Sequence, residues 1–263
     1  MKKLKAIQQL KQLKILVVGD SCEDIYHYGS CDRLSPEAPV PVFKEKSIKI
    51  VPGMSSNVVS NIKQFGCETL HITNTEQITK RRFVDSRFKQ HLLRVDQGEY
   101  QTLANIDTTL LPLDVSAIFI SDYDKGFLRP QDCEKICSLY SNLDIPIFVD
   151  SKKKNLSCFK NCFIKINKKE KTNCTSLPID SKIIVTVGKH GAVYEGKNYP
   201  TTPVEVFDVS GAGDIFLSIF GLHYTLNKNV EQAINIANKY SAHSVTKFGT
   251  YIITPEDINE LRF

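Results

Sequence analysis

The densest chemical signal in the chain is the run Asp208-Val209-Ser210-Gly211-Ala212-Gly213-Asp214, which stands immediately before an apolar helical stretch from Ile215 to Tyr224. Two glycines flanking an alanine at a helix start let successive backbone N–H groups point into one concavity, and the positive end of the helix dipole reinforces it. Such a cradle suits an anion, a phosphate above all. An aspartate beside it repels that anion unless chemistry or a metal requires the charge, so Asp214 reads as the acceptor of a proton from an attacking hydroxyl. The competing reading is an ordinary helix start, with Asp214 merely favourable to the dipole. Lysines also cluster at Lys152 to Lys154 and at Lys168, Lys169 and Lys171. They read either as solvated surface or as a positive rim that attracts polyphosphate.

The elements that must position these residues alternate between strand and helix. Lys14 to Val18, Thr69 to Thr73, Ala117 to Ile120, Ile145 to Val149, Phe163 to Ile166 and Ile183 to Val187 read as strands. Met54 to Phe65, a stretch beginning near Pro130, Gly211 to Tyr224, Val230 to Val245 and Pro255 to Arg262 read as helices. Strands apolar on both faces and separated by helices imply an α/β fold: a mostly parallel sheet covered on both sides, with ligands at the carboxyl edge. Two segments break this rhythm, residues 25–51 and 79–96. Short alternating strands near Ile25 to Tyr28, Pro39 to Lys44, Lys80 to Asp85 and Phe88 to Val95 predict a small β lid over that edge. One lid face covers the ligand; the other, carrying Phe83 and Leu92, is expected to pair in a symmetric homodimer. The whole chain, 1–263, is read as one domain with that lid.

Composition excludes several function classes. The 263 residues are 41% hydrophobic and 24% charged, ordinary for a globular chain. The 34 basic residues interleave with 29 acidic ones for a net charge of +5, which argues against a nucleic-acid groove. No apolar run approaches the ~20 residues of a membrane span. The first thirteen residues lack the character of a signal or transit peptide, so a cytoplasmic location is expected. With Leu4, Ile7, Leu10 and Leu13 on one side they read as a docking helix, the sharper alternative being a basic membrane-surface helix. The eight cysteines include no Cys-x-x-Cys and the six histidines no His-x-x-x-His. Buried apolar thiols are expected in place of a metal or disulfide framework.

The run DVSGAGD resembles the DTGAGD signature of the ribokinase-like (pfkB) carbohydrate kinases, and further segments match in order over almost the whole chain. Val17-Val18-Gly19-Asp20 with Asp24 resembles the first strand and sugar-binding aspartate of that family. Pro52-Gly53 through Asn57 resembles its di-glycine segment, whose asparagine contacts sugar hydroxyls. Asn167 with Glu170 resembles the N-x-x-E motif that orders magnesium-bound water. Thr186, Gly188 and Gly191 resemble its nucleotide-side turn, and Asn238 takes the position that approaches adenine. Val149-Asp150-Ser151-Lys152 stands for the usual VDPK, which assigns Lys152 to the nucleotide side. The resemblance implies ATP and Mg²⁺, with K⁺ as a further ion the family admits, and Gly211, Ala212, Gly213 and Asp214 as the catalytic group.

Within the family the strings GDSCEDIYHYG, RLSPEAPVPVFK, QHLLRVD and SDYDKGFL are most similar to the D-glycero-β-D-manno-heptose 7-phosphate kinases, the kinase half of bifunctional heptose enzymes. The nucleotidyltransferase half is expected to be absent. The implied reaction is phosphoryl transfer from ATP to the anomeric hydroxyl of a sugar phosphate, with Arg33, Lys44 and Arg94 as cations for the second phosphate. The chain departs from the pattern at Met54, where the family carries the second glycine, and in the short link from Asn74 to Thr79. These departures favour one alternative, another pfkB-type sugar or sugar-phosphate kinase; the other is a catalytically silent sugar-phosphate-binding subunit, against which Asp214, Asn167 and Glu170 together argue.

Overall fold

The computed structural model describes residues 8–99 and 105–263. Twelve strands, numbered in chain order, form an eight-stranded and a four-stranded sheet among the described residues. In the large sheet β4 (Glu68–Ile72), β1 (Lys14–Gly19), β7 (Ala117–Asp122), β8 (Ile147–Ser151), β9 (Phe163–Asn167) and β10 (Lys182–Thr186) lie side by side and parallel. The antiparallel hairpin β11 (Ala192–Tyr194) and β12 (Lys197–Tyr199) extends it; no expectation from the sequence covered this pair.

Alternate side chains of each central strand enter different cores, which is why the strands read as continuous apolar runs. Ile15 and Val17 of β1 and Phe119 of β7 pack with α1 (Ser55–Lys63), α4 (Ala212–Asn227), α5 (Val230–Ser244) and α6 (Pro255–Leu261). Leu16, Val18, Ile118 and Ile120 pack with Ile136 and Tyr140 of α2 (Pro130–Ser141). Helix α4 runs through the interior, buried continuously from Asp214 to His223. It comes so close to the sheet that a Cβ at Gly221 would lie 2.3 Å from a Phe119 ring carbon. Leu10 is fully buried in the first core, and Leu13 packs against it. Leu4 and Ile7 of the expected docking helix lie outside the described residues.

The second sheet has the order β3 (Pro41–Met54), β2 (Ser21–Leu34), β5 (Thr79–Asp85), β6 (Gln90–Gln97). Its first two strands are each 14 residues long, not the short pieces expected near Ile25 to Tyr28 and Pro39 to Lys44. The interior strand β2 is buried on both faces near its base, which erases the alternation that marks a strand. Pro52 is tolerated because β3 is an edge strand. Between β4 and β5 the chain crosses directly, as expected from the short link. Asn74 ties it down: its Oδ1 accepts from Ser21 N at 2.7 Å and its Nδ2 donates to Glu76 O at 2.6 Å.

On the outer face of this sheet Phe83 lies opposite Leu93, and Leu92 is displaced by an irregularity in the β5–β6 register, so Leu93 takes the place expected of Leu92. Ile48, Ile50, Leu93 and Val95 are all exposed. The helix expected from Met54 starts one residue later. Met54 closes β3 with φ 57° and ψ −132°, a conformation that glycine adopts freely and other residues rarely do. The cysteines are free thiols, and those facing each other across α2 and the β8–β9 connection, Cys137 and Cys162, place their Sγ atoms 3.4 Å apart in the core. Among the described residues no cluster of three or more potential metal ligands occurs, and no helix is long and apolar enough to cross a membrane.

Candidate active site

The carboxyl ends of β7 to β10 and the start of α4 border one cavity of about 430 Å³. Its lining includes Gly211, Ala212, Gly213, Asp214, Lys152, Asn167, Thr186, Gly188 and Asn238, which were nominated separately from the sequence. Gly211 takes the left-handed conformation at φ 78°, and α4 begins without any side-chain cap, leaving its first N–H groups to face a ligand. The glycines are required sterically. A Cβ at Gly211 would come within 2.8 Å of Asn57 Nδ2, and one at Gly213 within 2.6 Å of Lys165 Nζ.

Asp214 does not cap its helix. Its Oδ2 accepts a hydrogen bond from Asn57 Nδ2 at 2.9 Å, and its Oδ1 accepts one from the Tyr123 hydroxyl at 3.0 Å. Burial raises its pKa to about 6, opposed by the Asn57 hydrogen bond and the Lys165 charge. Behind the cradle, Asp150 receives Lys165 Nζ at 2.5 Å and Lys152 Nζ at 2.9 Å. Burial acts to raise the Asp150 pKa, but the two ammonium groups outweigh it and hold the carboxyl at about 2. Lys152 also donates to Glu170 Oε1 at 2.6 Å. Lys152 and Lys153 are therefore built into carboxylate pairs, Lys153 with Asp122 and Asp124, while Lys154, Lys168, Lys169 and Lys171 are solvated.

Asn167 and Glu170 start α3 (Lys168–Asn173) as a reciprocal capping box: Glu170 N donates to Asn167 Oδ1 at 2.9 Å, and Asn167 N to Glu170 Oε2 at 2.8 Å. Asn238 donates from Nδ2 to Tyr199 O at 2.8 Å and stays on the cavity wall.

On the lid side, Asp24 pairs with Arg82 and accepts from the Thr250 hydroxyl at 2.9 Å. Gly53 leaves room for it, since a Cβ there would sit 2.8 Å from Asp24 Oδ2. Three expectations need correction. Asp20 is fully buried and accepts from the backbone N–H groups of Tyr123, Lys125 and Phe127, so it fixes that loop and does not face a sugar. Asn57 is also fully buried; its Oδ1 accepts from Asn61 and its Nδ2 donates to Asp214, so it orients the carboxylate. Arg33 lies at the far tip of β2, nine positions beyond Asp24 and thus about 30 Å along the strand. Within one chain Arg33 does not join the site, nor does Lys44, which pairs with Ser30 near the same tip.

Arg94 lies beside Arg82 across the β5–β6 ladder and is paired with Asp96. Sequence reasoning overlooked Arg82, Lys80, Lys165, Tyr123 and Thr250. Lys165 alone left a usable trace, because a lysine within the apolar strand Phe163-Ile164-Lys165-Ile166 must find a buried partner.

With this geometry in hand, comparison with known proteins is direct. Residues 164–257 match the family described as pfkB family carbohydrate kinase. The chain is 30% identical over 308 aligned positions to the bifunctional protein HldE of Campylobacter curvus, covering 95% of this chain and 65% of that protein. It is likewise 30% identical to the HldE of Campylobacter concisus, again over 95% of this chain and 65% of the relative. The chain thus spans about 65% of the length of these relatives. An alignment of 308 positions is longer than the chain itself and so includes stretches with no counterpart here.

The fold is shared with phosphofructokinase-2 from Escherichia coli, solved in complex with potassium, at TM-score 0.74 and 14% identity, covering 95% of this chain and 98% of that one. It is shared also with Arabidopsis thaliana ribokinase complexed with ribose and ATP, at TM-score 0.67 and 14% identity, over 95% and 99% of the two chains. Residues 164–257 thus carry the pfkB family carbohydrate kinase match, within a chain whose fold is ribokinase-like.

Proposed function

We propose that the chain transfers the γ-phosphoryl group of ATP to a hydroxyl of a sugar phosphate, the anomeric hydroxyl of a heptose 7-phosphate. The observation that carries the reading is Asp214. It is a buried carboxylate held on both oxygens, titrating near pH 6, at an uncapped helix start that opens on the cavity. Glycine at 211 and 213 lets the helix start approach Asn57 and Lys165 closely, and Lys152 and Lys165, anchored on Asp150, line the cavity beside it. ATP and Mg²⁺, when bound, supply the phosphoryl group and neutralise the phosphate oxygens. Asn167 and Glu170 would hold the water around the metal. Thr186, Gly188 and Asn238 would line the nucleotide.

The chain's own work is positional. Asn57 and Tyr123 hold Asp214, Asp214 orients the acceptor hydroxyl and takes its proton, and the helix start meets the charge that spreads over the transferred oxygens. A weak base is adequate for an anomeric hydroxyl, which is more acidic than other sugar hydroxyls. Lys80, Arg82 and Arg94 on the lid are the cations for the second phosphate of the acceptor, in place of Arg33 and Lys44. The exposed row Ile48, Ile50, Leu93 and Val95 is the face on which two copies would pair.

The test is ADP release over a panel of heptose, hexose and pentose phosphates, with and without Mg²⁺, for the native chain and for Asp214→Asn. The reading requires a heptose 7-phosphate to give the highest kcat/KM and the variant to lose at least ~10²-fold in turnover. An unphosphorylated sugar as the best acceptor would overturn the heptose assignment and leave the kinase reading in place. Unchanged turnover in Asp214→Asn would remove the base.

A further inference from the structure

Tyr123 follows β7, and its side chain reaches Asp214 on one side and Lys80 of the lid on the other. Its hydroxyl donates to Asp214 Oδ1 at 3.0 Å, and its backbone N–H donates to Asp20 Oδ2 at 2.7 Å, which fixes where the ring stands. Two ammonium groups approach the ring. Lys80 Nζ, from lid strand β5, is 5.3 Å from the centroid, and Lys152 Nζ, from the end of β8, is 5.4 Å away. Both distances fall in the range where a cation is attracted to an aromatic face. Lys80 is also tied to Glu99, which pairs in turn with Lys125 two residues beyond Tyr123. The ring therefore stands between the lid and the phosphate cradle and lines the cavity itself.

We propose that Tyr123 is a positioning residue for phosphoryl transfer: its hydroxyl holds the Asp214 carboxylate in its ionised, acceptor-facing orientation, and its ring transmits the placement of Lys80 on the lid to that carboxylate. This rests on Asp214 being the base. Asp214 oxygens each accept two hydrogen bonds when ionised; Asn57 fills one place on Oδ2 and Tyr123 one on Oδ1, leaving a lone pair on either oxygen for the acceptor hydroxyl.

The phenol can only donate in this arrangement. Burial raises its own pKa, and the negative charges of Asp214 and Asp150 raise it further, so the proton stays on the oxygen. The charged and titratable groups facing the pair are Asp150, Lys165, Lys80, Lys152 and Cys22. A donor to a carboxylate favours its charged form, so removing the hydroxyl raises the pH at which Asp214 ionises.

The experiment compares the native chain with Tyr123→Phe, which keeps the ring and the cation contacts and deletes only the oxygen. Two readouts are taken on each: carbon NMR titration of the Asp214 carboxyl, and the pH profile of sugar-dependent ADP release. The expected result is an Asp214 midpoint raised by about one to two pH units, an acidic limb of kcat/KM raised with it, and kcat lowered roughly ten-fold near pH 6.5 with the KM for ATP unchanged. An unmoved midpoint and unmoved profile would overturn the inference, as would a loss confined to the KM for ATP. Asp214→Asn run in parallel separates the two claims. If that variant keeps its turnover, the base assignment fails, and the NMR midpoint still decides whether Tyr123 holds the carboxylate. Lys80→Met provides the lid arm, with a smaller rise in the same midpoint expected and no change counting against transmission through the ring.

Discussion

Replacing Met54 sets two opposing effects against each other and has a definite outcome. The residue joins lid strand β3 to helix α1 at φ 57°, ψ −132°, and its side chain is 3% exposed within the second core. Alanine there loses the packed side chain, about 2–5 kcal/mol for a buried methionine, and keeps the backbone strain. Glycine loses the same packing but escapes a strain of about 1–3 kcal/mol, offset by its own entropic cost of about 0.5–1 kcal/mol. The order of stability should therefore be native, then Met54→Gly, then Met54→Ala, with glycine above alanine by about 1–2 kcal/mol. That inverts the usual ranking of the two residues inside regular structure. For a chain of this size each kcal/mol moves the melting temperature by about 2–4 °C, so the two variants should separate by about 2–8 °C in a thermal scan. Alanine equal to or above glycine would refute the claim that this junction is strained.

Three further outcomes are expected. The acidic limb of kcat/KM should fall near pH 6, because the base works only when ionised and burial raises its pKa to about 6; a limb near pH 4 would show that another group limits the rate. Gly213→Ala should abolish turnover, since its Cβ would lie 2.6 Å from Lys165 Nζ and push that side chain aside, and calorimetry should record weakened ATP binding; unchanged ATP affinity would dissociate the cradle from the nucleotide. Leu93→Lys, on the exposed lid face, should convert a dimer to a monomer in light scattering at micromolar concentration, and a native chain that is already monomeric would end the proposal of lid pairing.

What the sequence by itself determined is the chemistry written in contiguous residues. A helix start with Gly211, Ala212 and Gly213 is a local event, so an anion cradle could be read from the seven letters Asp208 to Asp214, and the alternation of apolar strands with helices from the local periodicity of each segment. The direct β4–β5 crossing was legible for the same reason, because a link of a few residues cannot hold another strand and helix. The tertiary structure alone decided which groups meet across long separations. Asp214 meets Tyr123 and Asn57 because β7 and α1 flank the same helix, and Asp24 meets Arg82 because β2 and β5 pair in parallel with Tyr26 opposite Arg82. Neither adjacency has any periodic signature. Asp20 and Asp24 are four residues apart and similar in type, yet the turn from one sheet into the other aims Asp20 at backbone amides and Asp24 at an arginine. Arg33 failed as a site residue for a geometric reason as well: a rise of about 3.3 Å per residue carries it the length of the lid away, and strand length is what the mixed burial of β2 concealed.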